Sequence, residues 1–169
     1  MRAPHRPFLR WPDRRLAGPA QDVVAVDEAT RALWDEMVVA MDAMPGVGLA
    51  APQLGVMLRL AVVDASVERG RVVRLANPRI ISAAPVLVRR TEASPNLPGV
   101  SAQIARPAAV TVRYTDETGR ERMRDFEGLW ATSVQHQIDH LDGRMYFDRL
   151  KPVKRRMLLS RAAKLQRHG

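Results

Sequence analysis

The chain has 169 residues, 46% of them hydrophobic and 27% charged, with a net charge of +9. That composition is globular and long enough to bury a core without staples, which excludes wholesale disorder. There is no cysteine, so disulfides, thiolate nucleophiles and cysteine metal ligands are all excluded.

The charge is unevenly placed. Residues 151–169 carry seven Lys/Arg and no acid, and residues 1–15 carry five Arg against Asp13, so 16–150 holds a net of −2. A near-neutral body with cationic end segments suits contact with an anionic surface such as RNA; it equally suits solubility. The longest apolar stretch, Val47 to Val63, is broken by Pro52, Gln53 and Arg59, so no membrane span is expected. No apolar run near the N-terminus reads as a signal peptide, and a cytoplasmic protein is expected.

Residues 1–20 mix Arg, Pro and Gly without periodicity and read as an irregular lead-in. Asp27 reads as an N-cap, and behind it Leu33, Met37, Ala40, Met41 and Met44 share one face of a helix over about 28–43. Pro45-Gly46 ends it. Leu58–Asp64, Val72–Leu75 and Val86–Arg90 are short apolar runs of strand type, and Asn77-Pro78 marks a turn. Residues 108–114 alternate, with Val110, Val112 and Tyr114 on one face; Arg120–Phe126 returns as the hairpin partner. A second helix is expected over about Gly128–Leu141. A third follows Pro152, with Val153, Met157, Leu158, Ala162 and Leu165 on one side and the cations opposite. Helices around antiparallel strands, without βαβ alternation, define an α+β fold in a single domain over 1–169.

Three stretches carry chemistry. In His136-Gln137-Ile138-Asp139-His140 the two histidines are four apart, so on a helix they share a face and can meet one metal ion. Gln137 stands where a His-Glu-x-x-His motif has its general base, and a carboxamide cannot shuttle a proton. Gly46–Gln53 (GVGLAAPQ) brings backbone close to a ligand and offers the Gln53 amide, although by itself it reads as a tight turn against the core. Glu92–Gly99 reads as a loop. Its Ser94 has no base partner in sequence, and no Gly-x-Ser-x-Gly elbow occurs.

The order and spacing of these stretches resemble the peptide deformylase family, with its Gly-x-Gly-Leu-Ala-Ala-x-Gln, Glu-Gly-Cys-Leu-Ser and Gln-His-Glu-x-Asp-His-Leu motifs. Gly46–Gln53 is intact, Gln135–Leu141 departs at Gln137, and Glu92-Ala93-Ser94-Pro95-Asn96 keeps only the Glu. Residues 10–13 (RWPD), 107–114 (PAAVTVRY), 127–129 (EGL) and 147–154 (FDRLKPVK) are also similar, so the likeness spans roughly 8–165.

The resemblance implies a peptide-deformylase-like fold that acts on N-formylmethionyl peptides. It implies a single divalent metal (Fe, Zn or Ni) held by His136, His140 and the residue at Ser94, and with serine there the expectation is a metal site at His136/His140 that is weak or absent. Gln137 occupies the proton-moving position and Gln53 an oxyanion-binding one. Gly46, Val47, Gly48, Leu49, Leu129 and Ser133 are expected to line the pocket for a methionyl N-terminus. The C-terminal helix of bacterial deformylases docks on the ribosome, so 151–169 is expected to face ribosomal RNA.

Mapped onto that chemistry, three changes fall on reacting groups. A neutral Ser94 hydroxyl is a poorer ligand than a thiolate. Pro95 has no N–H for an oxyanion, a loss worth roughly 10²–10³ in rate. Gln137 removes acid–base help worth roughly 10²–10⁴. The expectation is a deformylase-like binding protein with impaired hydrolysis. The alternatives are an active metallohydrolase with an altered metal site and a ribosome-associated factor.

Overall fold

The computed structural model describes residues 6–168; residues 1–5 of the lead-in and Gly169 lie outside the described residues. Helix α1 spans Glu28–Ala43. Asp27 caps it, its carboxylate accepting from the Thr30 N–H at 2.9 Å while Thr30 Oγ1 accepts back from the Asp27 N–H. Trp34, Met37 and Met41 are its buried stripe.

Strands β1 (Gly48–Ala50), β2 (Leu60–Val63), β3 (Val73–Ala83), β6 (Ala109–Thr115) and β7 (Glu121–Glu127) form an antiparallel sheet in the order β1-β2-β3-β6-β7. Strands β4 (Leu87–Glu92) and β5 (Ala102–Pro107) pair separately. Two helices complete the fold, α2 over Gly128–Leu141 and α3 over Pro152–Arg167. The two-residue period of the strands divides the core. Ala61 and Val63 of β2 pack toward Val134, Ile138 and Leu141 of α2. Leu60 and Val62 pack toward Trp34, Met37 and Met41 of α1. A third cluster seats Leu158 and Ala162 of α3 on Leu16, Val100 and Phe147. Trp11 meets Phe147 edge-on at 5.0 Å, and the Arg155 guanidinium lies over both rings.

Four expectations are corrected. The lead-in includes a 3-10 turn at Arg14–Ala17 whose Leu16 is buried. Gly48–Ala50 is a strand paired with β2, not a turn. Asn77-Pro78 does not end a strand. The chain runs on through Ala83, with a register shift between Ala76 and Arg79. Asn77 takes φ +51°, and its side chain accepts from Val23 N at 2.7 Å and donates to Val23 O at 2.9 Å, so a tertiary contact stabilises the kink. On α3 only Leu158 and Ala162 are buried; Val153, Met157 and Leu165 are exposed. The helix touches the core along a narrow line, and its polar and apolar exposed residues share the remaining surface.

Among the described residues, no helix is long and apolar enough to cross a membrane.

Candidate functional site: a histidine helix facing a small cavity

Helix α2 is buried from Ala131 to Leu141. It lies beneath β1, and the approach is close: a Cβ on Gly48 would stand 2.5 Å from both Gln137 Nε2 and Ser133 Oγ. Ser133 Oγ donates to Val47 O at 2.8 Å and ties the helix to the glycine stretch. Here the small residues of the first motif have their physical reason. They let a strand edge reach a polar helix face.

A cavity of about 370 Å³ opens at this junction. Met44 to Gly48 form one wall, Leu129, Thr132, Ser133, His136 and Gln137 another, and Gln53 with Thr91 to Pro95 a third. Two expected site residues do not line it. Leu49 points to the opposite face of β1, into the α1 core, because neighbouring strand residues alternate sides. His140 is buried behind His136. A larger groove beside α1 contains none of the expected site residues.

The histidine pair is held from behind by charge. His136 Nδ1 lies 2.8 Å from Glu92 Oε1. Burial pushes the Glu92 carboxyl up, but hydrogen bonds from Arg106 and His136 outweigh this and hold it below its ordinary value. An ionised carboxylate only accepts, so His136 Nδ1 donates to Glu92, and the ring's Nε2 faces His140. Arg106, 1% exposed, donates to both Glu92 oxygens and to Asp139, and Asp139 is clamped again by Arg149 at 2.6 and 2.7 Å. Burial would raise the Asp139 carboxyl, but Arg149 and Arg106 hold it low. Burial, and then the neighbouring His136, push His140 well below its ordinary value, so it is neutral.

The two Nε2 atoms are 3.2 Å apart. Two ligands on one tetrahedral ion stand about 3.4 Å apart, so this pair fits two positions of a metal shell. The third position does not fit. Ser94 Oγ donates to Asn96 Oδ1 at 3.0 Å and accepts from Asn96 N at 3.3 Å. Both Glu92 oxygens are taken up by Arg106 and His136 Nδ1. Among the described residues no three His, Cys, Asp or Glu side chains are grouped to hold a metal ion. A catalytic zinc shell needs three protein ligands, and two imidazoles with a committed neutral hydroxyl fall short of that.

Gln137 is 4% exposed, and its Oε1 has no partner among the described residues. Thr132 Oγ1, in the same cavity wall, is also unpaired. Gln53 Oε1 accepts from Ala50 N at 2.9 Å and its Nε2 donates to Asn96 Oδ1 at 2.8 Å.

Sequence reasoning brought together Gln53, Ser94, His136 and Gln137. It missed Arg106, Asn96 and Arg149. An arginine inside a strand reads as solvent-facing, and only the two buried carboxylates around Arg106 explain its place. A signal for Glu92 existed, since it alone survives of the middle motif.

The arrangement is that of an α+β metallohydrolase frame with an incomplete metal shell. The sequence profile of polypeptide deformylase matches residues 5–156, and the chain belongs to that family. A protein of Bradyrhizobium diazoefficiens named "Peptide deformylase-like" is 39% identical over 162 residues, covering 96% of this chain and 95% of that one. One named "Peptide deformylase 2" from Xanthomonas campestris is 38% identical over 165 residues, covering 96% of each. The crystal structure of a peptide deformylase from Legionella pneumophila superposes with a TM-score of 0.89 at 36% identity, covering 96% and 95% of the two chains.

Proposed function

We propose that this chain is a deformylase-fold module that binds the methionyl N-terminus of a peptide and has lost rapid removal of the formyl group. One observation carries the reading: Ser94, at the position of the family's cysteine ligand, has its hydroxyl engaged by Asn96 as both donor and acceptor. Two further changes act in the same direction. Pro95 has no N–H to offer an oxyanion. The Gln137 carboxamide accepts a hydrogen bond without carrying a proton away. What remains is a cavity with apolar walls at Met44, Val47 and Leu129 and an unpaired acceptor at Gln137. That lining suits an apolar N-terminal side chain followed by a peptide N–H.

The test is turnover of a formyl-Met tripeptide by protein purified without oxygen and loaded with Fe²⁺, Ni²⁺ or Zn²⁺. The Ser94→Cys/Pro95→Leu/Gln137→Glu variant runs beside it. A silent wild type with an active variant supports the reading. Clear wild-type turnover, abolished by His136→Ala, overturns it in favour of a hydrolase with an altered metal site, which the 3.2 Å spacing of the imidazole nitrogens favours.

A second reading concerns α3. Its Lys154, Arg156, Arg161, Lys164 and Arg167, and Lys151 just before it, are all exposed, which suits contact with ribosomal RNA. Such binding would weaken steeply with salt.

A further inference from the structure

Asn96 stands at the fifth position of the altered middle motif, where the family has serine, and is fully buried. Its carboxamide uses its whole hydrogen-bonding capacity. Oδ1 accepts from Gln53 Nε2 at 2.8 Å and from Ser94 Oγ at 3.0 Å. Nδ2 donates to Leu9 O at 2.7 Å and to Gln53 O at 3.1 Å. Backbone bonds close the same knot: Leu9 N donates to Gln53 O at 2.9 Å and Trp11 N to Asn96 O at 2.8 Å.

Only one orientation of the Asn96 amide satisfies these partners. Flipped, its NH₂ would face the NH₂ of Gln53, and its oxygen would face two carbonyl oxygens. That orientation in turn fixes Gln53, whose Nε2 must face Asn96 and whose Oε1 must face the Ala50 N–H. Two carbonyls on the far side, one of them in the Leu9–Trp11 segment, thus decide how Gln53 is aimed.

We propose that Asn96 is the positioning residue of this cavity: it aims Gln53 at the ligand and couples that aim to docking of the Leu9–Trp11 segment. The proposal rests on the reading of the cavity as a peptide pocket. Asn96 acts through Gln53 and touches no ligand itself.

The experiment uses the full chain and two readouts. The first is solvent exchange of the Gln53 side-chain amide by NMR, assigned by its loss in Gln53→Ala. The second is the affinity for formyl-Met-Ala-Ser by calorimetry in wild type, Asn96→Ala, Gln53→Ala, the double variant and Asn96→Ser. In wild type the Gln53 amide should exchange far more slowly than those of the exposed Gln103 and Gln166. In Asn96→Ala it should exchange fast, and the peptide should bind about three- to tenfold more weakly, the worth of one neutral hydrogen bond. The double variant should bind no more weakly than Gln53→Ala, and Asn96→Ser should fall between wild type and Asn96→Ala. Losses that add in the double variant, or a Gln53 amide unmoved in Asn96→Ala, would overturn the proposal. Should Asn96→Ala not fold, fast exchange of the Gln53 amide in wild type overturns it equally. Absence of peptide binding in wild type would sink the pocket reading alone, because amide exchange decides the positioning role independently.

Discussion

His136 and Glu92 come from an α-helix and the end of a strand 44 residues earlier, yet their Nδ1 and Oε1 atoms meet at 2.8 Å with both residues buried. Glu92 also carries two of the Arg106 hydrogen bonds. Removing it leaves a guanidinium under the sheet with Asp139 as its remaining partner. Glu92→Leu should lower the unfolding free energy by about 3–5 kcal/mol, as expected when one member of a buried ion pair is lost. Urea unfolding measures it. A loss below about 1 kcal/mol would mean that Asp139 alone compensates Arg106.

Gly48 is required by crowding. Its added Cβ would sit 2.5 Å from Ser133 Oγ and Gln137 Nε2, closer than any contact permits. Gly48→Ala should cost about 1–3 kcal/mol of stability, the usual cost of overpacking. It should also displace Gln137 and abolish peptide binding. Thermal unfolding and calorimetry report the two effects separately.

Tyr146 gives a pH dependence on the alkaline side. Burial, and then the nearby Glu92 charge, raise its phenol to about 12. Below pH 10 the phenol is protonated in both folded and unfolded chains. Between pH 10 and about 12 the unfolded chain ionises first, so stability falls as pH rises through that window. Ultraviolet titration should show a late tyrosine that disappears in Tyr146→Phe. A single early transition for all tyrosine would contradict the burial of this ring.

Ser94→Cys alone should not create a working deformylase. The thiolate would supply a third ligand, but Pro95 would still lack its N–H and Gln137 would still carry no proton. Turnover of formyl-Met tripeptide should stay at background in the single variant and appear only in the triple one. Activity in the single variant would show that the metal shell alone limits the wild type.

The α3 cations can be tested without harming the core, because Lys154, Arg156 and Lys164 lie on its exposed side. Their joint replacement by Glu should change stability by less than about 0.5 kcal/mol per site. It should abolish co-sedimentation with ribosomes at low salt. Unchanged co-sedimentation would remove RNA contact from the functions of this helix.

Local signals in the sequence located most of the frame. Asp27 and Pro45-Gly46 mark the ends of α1 and the methionine stripe its buried face, because capping and 3.6-residue periodicity are properties of neighbouring residues. The β6–β7 hairpin was readable from the alternation of Val110, Val112 and Tyr114 for the same reason. The misreadings have tertiary causes. Asn77 looks like a turn residue and does take a positive φ, but its partners lie 54 residues earlier at Val23, so the strand continues past it. Strand β5 has no apolar run to mark it, because Gln103 and the buried Arg106 interrupt its pattern. Arg106 finds Glu92 14 residues away and Asp139 33 residues away, contacts that no local window contains. In the site, residue types announced themselves through His136 and His140, whereas the orienting groups behind them did not.

The stack of Trp11, Phe147 and Arg155 has an electrical consequence. It joins the lead-in, at Trp11, to the Lys/Arg-rich last helix, while residues 16–150 carry a net charge of only −2. The chain's net positive charge is therefore carried by its two end segments. Attraction of those segments to a polyanion would fade as added salt shortens the reach of the field.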